Sequence, residues 1–234
     1  MLPNDNQFLN KGERMTLDQM NISTRKLDMA RDFYGYGRWD ARYWFIGPEQ
    51  GKGPKENSSN ARRLEAWLEL GKPELCDCKA FHEAIGETTW DERLQSTWKQ
   101  LILLLMIAQG NLTDRETRLA YQRARWGRIS PKDGETLVIE LSGLAAKNLK
   151  APGDRNRFRQ ERIKLIRGNM LKHEPKFVVM YGRGARRHWE EIAGCELNPN
   201  GVVKCGATLI AFTTHPVAFG IKNSYWEQLG QRLR

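Results

Sequence analysis

The sequence has no apolar stretch long enough to cross a bilayer. Its longest, Leu101 to Ala108, spans eight residues and suits a buried helix segment. No secretory leader is expected either. Asn4, Asp5, Asn6 and Gln7 are polar where a secretory signal needs hydrophobic residues, so a cytoplasmic setting without a membrane partner is expected. Cysteine is scarce, with 4 in 234 residues, too few to staple a chain of this size, and disulfides are not expected. The single residue between Cys76 and Cys78 is a poor spacing for a zinc pair, which usually needs ~2–4. Thiols that fill space are the expectation, with no metal and no cofactor. Acidic residues are outnumbered as well: 28 Asp plus Glu face 38 Lys plus Arg, a formal net charge of +10. Such an excess favours an acidic partner, of which nucleic acid is the commonest. No internal repeat or low-complexity linker breaks the chain, so residues 1–234 read as a single domain and, by expectation, a monomer.

What is present alternates. Arg42 to Ile46, Thr136 to Ile139, Lys176 to Tyr181 and Ala207 to Phe212 are short β-favouring runs, each close to a turn signal. Helical patterns fill roughly 24–34, 60–70, 92–109, 114–125, 155–171, 183–193 and 223–233. Continuous apolar strands separated by helices predict an α/β fold. The expected form is a three-layer α/β/α sandwich around a mostly parallel sheet of about four strands. The stretch 52–134 then reads as a helical insertion. In open sheets of this type the ligand site lies beyond the carboxyl ends of the strands. That rule nominates Gly47 to Gly53, Glu140 to Leu144, Tyr181 to Gly184 and Thr213 to Gly220.

Two of those places carry acid–base chemistry. Gly47-Pro48-Glu49-Gln50-Gly51-Lys52-Gly53-Pro54 is a stiff turn with one carboxylate at its crest. Thr213-Thr214-His215-Pro216-Val217-Ala218-Phe219-Gly220 places a histidine just past the last strand run. A lone His is usually structural, and a lone Glu in a glycine-rich turn usually faces solvent. Both at strand ends of one sheet meet the expectation for a site.

These segments resemble the two motifs of the uracil-DNA glycosylase superfamily. Phe45 to Gly51 is similar to its first motif, and Thr214 to Phe219 to its second. The turn and helix after Val179-Met180-Tyr181, and the helix start Lys222 to Trp226, fit the same order over about residues 40–234. The resemblance implies a DNA glycosylase that flips a pyrimidine out of the duplex and hydrolyses its N-glycosidic bond, leaving an abasic site. It implies that Glu49 orients the attacking water and that a carboxylate there favours the developing positive sugar. His215 is then the neutral donor to the pyrimidine O2 as the base leaves. Phe219 occupies the position of an apolar wedge.

Departures from the family pattern bear on the substrate. Gly51 stands where uracil-specific relatives carry a Tyr that blocks C5, which leaves room for a substituent. Glu140 aligns with the Asn that reads uracil, and an ionised Glu accepts from the exocyclic amine of cytosine instead. Val217 and Ala218 replace Ser and Pro of the second motif. The substrate expected is a C5-modified cytosine of the kind found in phage DNA, and the role expected is anti-phage defence. The alternative is uracil repair, with Glu140 merely pairing an Arg.

Residues 144–172 hold nine basic side chains against Asp154 and Glu161, a local net charge of +7. Lys147, Lys150, Arg155, Arg157 and Arg159 are the expected phosphate contacts on double-stranded DNA, joined by Lys222. The bland reading of such a run is a solvated helix face. Phe81 or Trp67 is the expected stacking partner for the flipped base, although aromatics in helical patterns are more often core. Two readings from other classes stay open. One is a DNA-binding module without catalysis. The other is a nucleotide-binding enzyme using Gly47 to Gly53, whose glycine spacing matches neither common phosphate fingerprint.

Overall fold

The computed structural model describes residues 17–48, 59–87, 92–145 and 157–234. Seven strands form one mixed sheet: β1 (Gly35–Tyr36), β2 (Tyr43–Gly47), β3 (Leu75–Cys76), β4 (Thr136–Glu140), β5 (Phe177–Tyr181), β6 (Val202–Cys205) and β7 (Thr208–Thr213). Their spatial order is β3-β1-β4-β2-β5-β7-β6. The helices among the described residues are α1 (Leu17–Asp32), α2 (Ser59–Glu69), α3 (Cys78–Ala84), α4 (Trp98–Gln109), α5 (Arg115–Ala124), α6 (Arg159–His173), α7 (Arg186–Ala193) and α8 (Asn223–Arg232).

The α/β class follows the alternation in the sequence, but the expected sheet of about four strands needs correction. The four apolar runs do form a central parallel block, β4-β2-β5-β7. Three edge strands extend it. β1 runs antiparallel to β4, β3 pairs with β1, and β6 returns antiparallel on β7. Each lacks a strand signal. β1 lies within Gly35-Tyr36-Gly37, where the glycines admit a neighbouring backbone so close that a Cβ would strike the Val138 and Thr136 carbonyls. β3 is two residues long and lies inside the expected helical insertion. β6 is partly exposed and joins β7 through a tight turn with Gly206 at φ 62°.

Alternation along the central strands feeds two cores. Tyr43, Phe45, Val138, Phe177, Val179 and Ala211 point to one face, under α2, α3, α4 and α8. Trp44, Ile46, Leu137, Ile139, Val178 and Met180 point to the other, under α6 and α7. Burial on both faces explains why these strands read as unbroken apolar runs. The helix expected from residue 92 begins at Trp98, because the Gln95 side chain accepts from the Thr97 and Trp98 amides and caps that end.

Arg162 is fully buried in α6. Its guanidinium donates to the carbonyls of Glu140, Leu141, Ala30 and Arg31 and lies 3.8 Å from the Tyr34 ring centroid. It therefore ties the carboxyl end of β4 to the last turn of α1. Burial lowers its pKa to about 10, still far above neutrality, so the clamp is charged. The sequence placed Arg162 among the basic residues of a phosphate surface; the fold uses it inside the core. Arg167 is similarly occupied, donating to the Glu191 and Ile192 carbonyls at the end of α7. Arg162→Met is expected to cost about 4 kcal/mol, since several buried carbonyls lose their donor at roughly 1 kcal/mol or more each. Equilibrium urea unfolding measures that loss.

Candidate active site

The carboxyl ends of the parallel strands gather the candidate chemistry. Register sets Glu140 beside Gly47 and Tyr181 beside Thr213. Glu140, Gly47 and Tyr181 all continue the series that faces the α2–α4–α8 layer. The Tyr181 hydroxyl donates to Glu140 Oε1 at 3.2 Å, reaching across β2 over Gly47. A Cβ at position 47 would collide with both the Glu140 carboxylate and the Tyr181 hydroxyl, so only glycine lets them meet. The requirement is for space above the strand. Burial and the neighbouring Glu140 push the Tyr181 hydroxyl well above 10, which keeps it protonated as a donor.

On its other side the Tyr181 ring meets His215 edge to face, with centroids 5.4 Å apart and planes at 77°. Glu140, Tyr181 and His215 thus form one connected row. The turn after β7 orients the histidine: the Ala218 amide donates to the His215 carbonyl at 2.9 Å, and the Val217 amide donates to Nδ1 at 3.3 Å. An acceptor at Nδ1 places the ring proton on Nε2. Burial lowers the His215 pKa from its ordinary value near 6.5, so the ring is neutral at neutral pH and presents an Nε2–H. Any activity that uses this donor is expected to persist as the pH falls through 6.5 and to decline only below it. Stability has the same sign. The unfolded chain takes up the proton first, so this contribution is present above pH 6.5 and is lost as pH falls towards the lower folded value. A pH–rate profile, read beside melting temperatures at each pH, checks both.

The base of this loop is fixed by a polar relay. The Tyr225 hydroxyl contacts Thr213 Oγ1 and donates to Asn200 Oδ1 at 2.7 Å, and Arg232 donates to the Asn200 carbonyl at 2.8 Å. These bonds tie the end of β7 to the start of α8. Beyond the turn the Phe219 side chain is fully exposed and Val217 is half exposed. Lys222 follows at the exposed start of α8. α6 begins beside β4, as the bonds from Arg162 to Glu140 and Leu141 require; exposed Arg157 precedes it and half-buried Arg159 is its first residue.

No protein-family model matches the chain, and a search of curated proteins found no match either. The site therefore stands on its own geometry.

Of the residues nominated from the sequence, Glu140 and His215 come together through Tyr181. Phe219, Lys222, Arg157 and Arg159 are solvent-accessible to differing degrees. Glu49, Gly51, Lys147, Lys150 and Arg155 lie outside the described residues. Phe81 does not offer a stacking face. It is fully buried, its ring stacked on Phe33 at 5.2 Å and covered by the Arg63 guanidinium 5.0 Å from its centroid. Trp67 is likewise buried. Tyr181 opens one of the nominated strand-end places, Tyr181 to Gly184, but the sequence reading gave its hydroxyl no role in the site. Its position as the polar-tipped last residue of an apolar strand was the available signal.

Proposed function

We propose that this chain is a DNA glycosylase built on a uracil-DNA glycosylase-like α/β/α domain, excising a C5-modified cytosine from duplex DNA by hydrolysis. The observation that carries the reading is the row Glu140–Tyr181–His215 at the ends of parallel strands. It pairs a hydrogen-bond acceptor with a neutral imidazole donor on one edge.

In this reading the base leaves the stack and enters the strand-end site. The Glu140 carboxylate, held by the Tyr181 hydroxyl, accepts from the exocyclic amine of cytosine. His215 Nε2–H donates to the pyrimidine O2, where negative charge collects as the glycosidic bond lengthens. A neutral donor aimed at developing charge in a water-poor site stabilises the transition state more than the ground state. Glu49, by the family resemblance, orients the attacking water, and Gly51 leaves room for the C5 substituent. Sugar C1′ gains the water oxygen, the water gives up a proton, and the base departs with the bonding electron pair.

DNA is held by charge around the same edge. Arg157, Arg159, Lys222 and the basic residues between 147 and 155 are the proposed phosphate contacts, so affinity falls steeply with salt. Phe219 is the proposed wedge that fills the gap left by the flipped base. Its complete exposure supports this, because a fully exposed Phe contributes little to the core. Phe219→Ala is expected to weaken binding to an abasic-site duplex by about 10-fold, which corresponds to about 1.4 kcal/mol, and to leave the melting temperature unchanged. Fluorescence anisotropy and thermal unfolding together check it.

The reading is tested by incubating the protein with duplexes carrying a single uracil, cytosine, 5-hydroxymethylcytosine or glucosylated 5-hydroxymethylcytosine, then cleaving abasic sites with alkali. Strand breaks at a modified cytosine support the proposal. Breaks only at uracil would assign the chain to uracil repair, and breaks at none would favour a binding module.

A further inference from the structure

Arg63, on α2, is a buried guanidinium whose Nε and Nη2 meet no hydrogen-bond acceptor among the described residues. Only 8 % of its surface is exposed. Two aromatic rings flank the guanidinium, Phe81 at 5.0 Å and Phe33 at 5.9 Å. Such contacts stabilise the charge but accept none of its in-plane N–H donors. The Cys76 thiol, which feels the Arg63 charge, supplies no anion, because burial pushes it up to about 12 and keeps it protonated. His82, held by its Nδ1 at 2.7 Å from the Cys78 carbonyl, is neutral through burial.

The two orphaned donors share one edge of the guanidinium, and that edge has a specific use. Arg31 presents the same pair to one carboxylate, Nε to Asp32 Oδ1 at 2.7 Å and Nη2 to Asp32 Oδ2 at 2.8 Å. Arg38 does the same with Asp40. Two parallel N–H groups spaced in this way fit two oxygens of a single carboxylate or phosphate. At Arg63 no carboxylate of the described residues meets that edge. Leaving a buried guanidinium unpaired is costly, and exposed salt bridges elsewhere on the surface cannot offset it.

We infer that Arg63 is the binding group of an oxyanion site, taking one small phosphate or carboxylate bidentately through Nε and Nη2 between Phe81 and Phe33. The small residual exposure limits the ligand to a free anion or the terminal group of a small molecule. One turn earlier on α2, Asn60 exchanges two hydrogen bonds with the Ala145 backbone, 3.2 and 3.1 Å, just after β4. An anion at Arg63 thereby braces the helix tied to the segment that leaves Glu140. The site does not depend on the glycosylase reading and is tested without DNA.

The test is thermal unfolding of the full chain in inorganic phosphate and in acetate, each against chloride at matched ionic strength. At ten times the dissociation constant the bound anion raises the melting temperature by on the order of 3–6 °C for a chain of this size. A rise in phosphate alone assigns a phosphate-type ligand, and a rise in acetate a carboxylate. Arg63→Met and Arg63→Lys both abolish the rise, since lysine keeps the charge but lacks the two-donor edge, whereas Arg62→Ala on the exposed side of α2 keeps it. Should either Arg63 variant fail to fold, the Arg63 Nε–H resonance of the wild-type protein gives the same answer by shifting on titration with the effective anion. No rise above chloride in either anion, or an equal rise in the Arg63 variants, overturns the site.

Discussion

His215→Ala is expected to lower the single-turnover excision rate by about 10²–10³-fold while duplex affinity stays within a few-fold. The wild-type ring is oriented by the Val217 amide at Nδ1 and held neutral by burial, so Nε2–H is aligned before the base arrives. Alanine removes that donor. Charge on the departing pyrimidine must then be met by water, which has to reorganise as the bond breaks. In the proposed reading DNA affinity comes from phosphate contacts on other elements, so the substitution is expected to leave it within a few-fold. Rapid-quench kinetics beside a binding titration separates the two. Equal loss of rate and affinity would mean that the histidine only supports the loop.

Glu140→Gln is expected to invert the choice of base. Gln has the length of Glu and its carbonyl can still accept from the Tyr181 hydroxyl, so the row at the strand ends survives. Its amide also donates, which suits the O4 of uracil and no longer draws the amine of cytosine with a full charge. Excision of a modified cytosine should fall by about 10²-fold or more, and excision of uracil should appear. Competition between the two substrates in one reaction gives the ratio directly. An equal fall on both would assign Glu140 a structural role.

The central sheet was legible because its four strands are buried on both faces. Tyr43 to Gly47, Thr136 to Glu140, Phe177 to Tyr181 and Thr208 to Thr213 are runs that a helix or a half-exposed strand would interrupt with polar residues. The edge strands were not, since Gly35-Tyr36 and Leu75-Cys76 are set by pairing partners far away in sequence. His215 and Glu140 were visible as polar residues at strand ends. What joins them was not, because the Tyr181 hydroxyl reaches Glu140 only through the register across β2 and the missing side chain of Gly47.

Arg162 shows the converse. In a run of basic residues it looked like another phosphate contact. Yet Arg162, Ile163, Ile166 and Met170 share the one buried stripe of α6, and that spacing was readable in the sequence. Phe81, expected to stack on the flipped base, follows the commoner fate of an aromatic in a helical pattern: it is core, its faces taken by Phe33 and Arg63.

The most direct test of the account follows the base itself. A duplex carrying 5-hydroxymethylcytosine, with and without glucose, in one strand and uracil in the other is incubated in parallel with wild-type protein and His215→Ala, and the released bases are identified by mass spectrometry. The account predicts free modified cytosine from the wild type, at least 100-fold less from the variant by the loss argued above, and an abasic site left in that strand alone. Absence of any free base, or equal release by the two proteins, would contradict it.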